Sequence, residues 1–216
     1  MAPVTTRSVL RPCQGVRYTE LAGVPVLYAP IDGRVHQVSP GVARVWAELD
    51  GRPLADLGDP PPVELARRLR VLGLVEDDRG PGDPRAEAPE VDGDDPTVVR
   101  LPGRLVERAD GTAVELFEPE DLADALDVVE IDRSTGRVRP GDQPLVAIVV
   151  VDTGALARPA YEPGARVDLE PFEALQALIS VLPRSLFGPI DSLDRLADLV
   201  DRVPIELGPP MRVAGT

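Results

Sequence analysis

Residues 77–96 read DDRGPGDPRAEAPEVDGDDP, a stretch rich in glycine, proline and acid with almost no large apolar side chain. Such a segment cannot bury enough apolar surface to offset the entropy of ordering it. It predicts a linker, with one module over residues 1–76, the linker over 77–97 and a second module over 98–216. A chain of 216 residues is long enough for two small cores.

Charge is distributed along the same division. Residues 1–76 carry nine arginines against eight acids, 77–97 two against eight, and 98–216 twelve against twenty-one, for a formal net charge of −14. Nucleic acid and anionic membranes repel such a protein, so neither is expected as a partner. All 23 basic residues are arginine, which excludes any mechanism that needs a lysine. Cys13 is the single cysteine and cannot form an internal disulfide. The start MAPVTTRSVLRP lacks the apolar core of a signal peptide, and the longest apolar run, Leu145–Val151, is too short to span a bilayer. On these readings the expected compartment is the cytoplasm.

In the first module, Val16–Leu21 and Val24–Ile31 read as strands, and Asp32-Gly33 suits a tight hairpin into Arg34–Val38. Ser39 can cap a helix, Pro40 fits its first turn, and Val42, Val45, Trp46 and Leu49 recur at helical spacing before Gly51. A second helix opens at the prolines 60–62, with Leu65, Ala66, Leu69 and Leu72 as its apolar stripe up to Gly73. Its opposite surface presents Val63, Arg67 and Arg70. The spacing lets Glu64 pair with Arg68 at i, i+4, which would leave Arg67 and Arg70 free.

Beyond the linker, strand-like and helix-like pieces alternate. Strands are predicted at Ala113–Phe117 and Val128–Ile131, a short helix at Pro119–Leu126, and a strand buried on both faces at 145–151. Two helices follow, Pro171–Leu182 and one from Asp191 that Pro204 ends after Val203.

The string PVLYAPIDGRVHQVSPGVARVWAELDGRPLADL, followed by LARRLRVLGLVE, resembles the PqqD-like family. Its members recognise precursor peptides of ribosomally made, post-translationally modified natural products. The resemblance covers about residues 16–76, with the middle helix of such domains shortened to little more than Pro53–Leu57. The second module resembles the C-terminal part of HPr-kinase-like proteins over about 111–207. It carries DVVEIDRSTGRVRPGDQPL before a buried strand, a Pro-Gly loop at Tyr161–Gly164 and a closing helix in LADLVDRVPIEL.

Kinases of that type cradle phosphates in a glycine-rich loop with a lysine and a hydroxyl residue. Here Phe117-Glu118-Pro119-Glu120-Asp121 occupies the position, with three carboxylates that would repel a triphosphate. The expected fold class is α+β. It combines a winged-helix-like N-terminal module, a three-stranded antiparallel sheet plus helices, with a C-terminal α/β module resembling a degenerate HPr-kinase-like fold.

No residue set for catalysis or metal binding emerges, and no cofactor is expected. His36, the only histidine, has no serine, cysteine or carboxylate near it in sequence to make a catalytic pair. Cys13 falls in an irregular N-terminal arm without a visible base, and Trp46 follows the helix's core phase. Glu118, Glu120, Asp121, Asp124 and Asp127 match no known cation loop and suit a solvated helix start.

The resemblance implies strand addition. A precursor leader peptide would lie along Arg34, Val35, His36, Gln37 and Val38, with side chains reaching Val63, Arg67 and Arg70. The protein would then do no chemistry and would present the peptide to a separate modifying enzyme, possessing the option of a homodimer through its second module. The competing expectations are a kinase-like enzyme with an unrecognised active site and a winged-helix DNA-binding regulator. The near-neutral first module argues against the latter.

Overall fold

A computed structural model of the chain describes residues 3–29, 33–77, 95, 97–116, 127–151, 166–182 and 191–209. The chain divides into two compact units, Met1–Pro89 and Glu90–Thr216. Its described residues form a mixed α+β structure.

In the first unit, β2 (Arg17–Leu21), β3 (Val24–Ala29) and β4 (Arg34–Gln37) form an antiparallel sheet with β3 in the middle. Gly33 adopts φ +67°, the conformation that the hairpin requires and glycine accepts without strain. The rest of the expected turn, residues 30–32, lies outside the described residues.

Helix α1 (Pro40–Glu48) starts where expected, with the Ser39 hydroxyl accepting from the Val42 amide. A single 3-10 turn, Leu54–Asp56, follows, and then α2 (Val63–Val71). Leu27, Val42, Trp46, Leu49, Leu54, Ala66 and Leu69 meet in one buried core.

The N-terminal arm is not irregular. Leu10–Pro12 forms β1, which pairs antiparallel with β5 (Val75–Asp77). The Cys13 amide donates to the Leu74 carbonyl, and burial is the main cause pushing its thiol pKa up. This suppresses rather than promotes thiolate chemistry. Asp77, expected as the first linker residue, is the last residue of β5.

The second unit is built on a seven-stranded mixed sheet. Its strands are β6 (Val98–Arg108), β7 (Gly111–Leu116), β8 (Asp127–Asp132), β9 (Arg137–Arg139), β10 (Gln143–Val151), β11 (Val167–Asp168) and β12 (Ile205–Gly208). Strand β10 runs parallel to β7 and β12, and its first residues, Gln143 and Pro144, also pair with β9. The pairing order β10, β7, β6, β8, β9 therefore closes back on β10, with β12 and β11 continuing outward.

Ala147–Val151 of β10 is buried throughout, whereas Gln143 and Pro144 are exposed. Helices α3 (Pro171–Val181) and α4 (Asp191–Val200) pack on each other, on β10 and on β6. The last helix ends three residues short of the expected Val203. The expected helix at Pro119–Leu126 lies outside the described residues.

Gly103 marks a close approach within this sheet, opposite Leu116 on β7 and Asp127 on β8. A Cβ there would come within 2.5 Å of the Glu115 carbonyl oxygen and 2.8 Å of Leu116 Cδ2. Backbone cannot retreat as a flexible side chain does, so Gly103→Ala is expected to destabilise the second unit by about 1–3 kcal/mol. An unchanged urea midpoint in circular dichroism would contradict this packing.

Candidate functional site

The ladder decides which groups β4 offers to a ligand. The Val38 amide donates to the Pro25 carbonyl at 3.0 Å, and the register sets His36 opposite Leu27 and Arg34 opposite Ala29. Antiparallel pairs alternate in the direction of their main-chain bonds. Arg34, His36 and Val38 therefore turn their main-chain groups toward β3, and Val35 and Gln37 turn theirs toward the outer edge. Among the described strands, β4 pairs with β3 alone.

Side chains alternate in the other sense. Arg34, His36 and Val38 lie on the face of Leu27 and Ala29, where α1 packs against β3; Val35 and Gln37 lie on the face of Tyr28 and Val26. Val38 belongs to the core cluster, Val35 is 5% exposed, His36 is half-buried, and Arg34 and Gln37 are exposed. The five strand residues thus divide into main-chain and side-chain roles that the sequence alone does not separate.

The arginines of α2 are paired differently from the expectation. Glu64 holds Arg67, three residues on, at 2.6 Å rather than Arg68. Arg70 reaches Asp77 on β5 at 2.6 Å, and its side chain is only 9% exposed. It sits on the side of α2 that packs toward β5, because the helix ends at Val71 and the chain turns at Gly73, φ +68°, straight into that strand. Arg67 and Arg70 are therefore not free charges, whereas the guanidinium of Arg68 is exposed and without an acidic partner among the described residues. Val63 is half-buried, and Val71, which sequence reasoning missed, is 73% exposed two turns after it. An apolar residue eight positions after Val63 was the available signal.

Trp46 is a core residue, 9% exposed, with its ring stacked on that of Tyr18 at a centroid distance of 6.4 Å. In the second unit, Asp132 accepts from the Ser134 hydroxyl and from the Ser134 and Thr135 amides, and it pairs with Arg139. The Ser134 hydroxyl and Arg139 together hold its carboxyl well below the usual carboxylate range. Arg139 also binds Asp95 at 3.0 Å.

The segment 117–121 that stands where a phosphate loop would be, the acids Glu118, Glu120, Asp121 and Asp124, and the Tyr161–Gly164 loop lie outside the described residues. Among the described residues, no cluster of three or more His, Cys, Asp or Glu is placed to hold a metal ion, and no helix is long and apolar enough to cross a membrane.

Comparison with protein-family models, curated proteins and solved structures finds no match to this chain.

Proposed function

We propose that the first unit is a recognition module for an extended segment of a precursor leader peptide, which adds as a fourth strand to β4. The supporting observation is the position of β4 at the end of its sheet among the described strands, with the Gln37 main chain turned outward. Main-chain bonds supply affinity in this mode, and alternate side chains supply selectivity. A strand of four residues limits the paired footprint to roughly that length. Ligand side chains on one face meet Arg34 and His36, and those on the other meet Val35 and Gln37.

In this reading the protein is a cytoplasmic peptide chaperone that hands its ligand to a separate modifying enzyme and does no chemistry itself. The second unit, as a kinase-like fold without its phosphate loop, serves as the docking or dimerisation platform. The ion pairs of Arg67 and Arg70 shift the weight of recognition from acidic ligand residues to the main chain.

The test compares Gln37→Pro with Gln37→Ala, using synthetic peptides for the small reading frames beside the gene as probes. Proline removes the outward N–H and is tolerated on sheet edges, whereas alanine keeps the N–H. Gln37→Pro is expected to weaken binding by about tenfold, ~1.4 kcal/mol, and Gln37→Ala by much less. Equal binding by a folded Gln37→Pro variant would sink the proposal.

A further inference from the structure

On β2, the opposite edge of the three-stranded sheet, Tyr18 and Glu20 project from the same face. Tyr18 is 40% exposed although the chain is only 3% aromatic. Trp46 stacks against one side of its ring, with 19° between the planes. Its hydroxyl donates to the Glu20 carboxylate at 2.7 Å. Glu20 is exposed and has no basic partner among the described residues.

Each part favours a cation. A phenol that donates to a carboxylate gains electron density in its ring, which strengthens the attraction of the ring face for positive charge. The carboxylate beside it adds a full negative charge, with one oxygen still available beyond the Tyr18 bond. A planar guanidinium satisfies both, since it stacks on an aromatic ring while donating to a carboxylate in its own plane.

We propose that Tyr18 and Glu20, backed by Trp46, form a docking point for an arginine side chain of a partner polypeptide. The point lies two strands from β4, so it can be occupied together with that edge. It stands independently of the peptide-recognition reading.

Trp46, the only tryptophan, is a built-in reporter. The full chain is titrated with a short blocked peptide carrying one arginine and with its lysine and citrulline counterparts, following Trp46 emission. The arginine peptide is expected to bind saturably, the lysine peptide more weakly and the citrulline peptide weakest. Tyr18→Leu and Glu20→Gln should each weaken arginine binding by about threefold to tenfold. Asp194→Asn, which removes an exposed charge in the second unit, should leave affinity within about twofold, as expected for a solvent-screened charge. No saturable binding, citrulline or lysine binding as tight as arginine, or equal losses in Glu20→Gln and Asp194→Asn would overturn the assignment. Both site variants change partly exposed side chains, and circular dichroism verifies that they fold.

Discussion

Arg104→Met is expected to destabilise the second unit by about 2–3 kcal/mol, far more than the loss of an ordinary surface ion pair. The reason lies in its partner. The Glu115 side chain is 0% exposed, and Arg104, directly opposite it in register, approaches one carboxylate oxygen with Nε at 2.6 Å and Nη2 at 2.5 Å. Removing the guanidinium takes away this counter-charge from a carboxylate that is buried. Arg104 itself keeps 41% exposure, which screens part of the interaction and places the effect below that of a fully buried pair. Replacing both residues, Arg104→Met with Glu115→Leu, should recover most of the loss, because an apolar pair leaves no charge to desolvate. Urea unfolding followed by circular dichroism measures both. A single variant as stable as wild type would contradict the pairing.

Trp46→Ala is expected to cost about 3–4 kcal/mol in the first unit, because truncating a large buried aromatic loses its transfer energy and opens a cavity. Trp46 lies at the junction of α1, the stacked Tyr18 ring and the core that contains Leu27 and Leu49. A domain of this size has little stability in reserve, so the variant should be largely unfolded near 37 °C while the second unit keeps its own transition. Trp46→Phe retains most of the apolar area and should lose about 1 kcal/mol. A loss below about 1 kcal/mol for Trp46→Ala would mean that the ring is not a core anchor.

Features set by neighbouring residues were legible in the sequence. Ser39, Pro40 and the Val42, Val45, Trp46, Leu49 spacing marked α1 because cap, first turn and apolar stripe all lie within a dozen residues. Strand β6 was not legible, because Pro102-Gly103 breaks its alternation in the middle. It becomes a strand through partners on both sides, β7 and β8. The pairing of β1 with β5 joins Leu10 to Asp77, a separation that no local pattern encodes.

The candidate site shows the same limit. Arg34–Val38 could be placed as a strand beside the Asp-Gly turn, but which of its residues face outward depends on the bond from Val38 to Pro25. The pairing of Arg70 was missed because the i, i+4 rule considers only the helix, and its partner, Asp77, is on the next strand.

The proposed addition of a peptide to β4 through its main chain is tested by amide hydrogen exchange at single-residue resolution. The full chain is measured with and without a bound peptide encoded beside the gene. The Gln37 amide, turned outward, should exchange fast in the free protein and slow by about tenfold or more when the peptide is bound, as an N–H gaining a strand partner does. The His36 amide, already directed at β3, should change far less. A peptide that binds tightly while the Gln37 amide keeps its free-state rate would contradict strand addition at this edge.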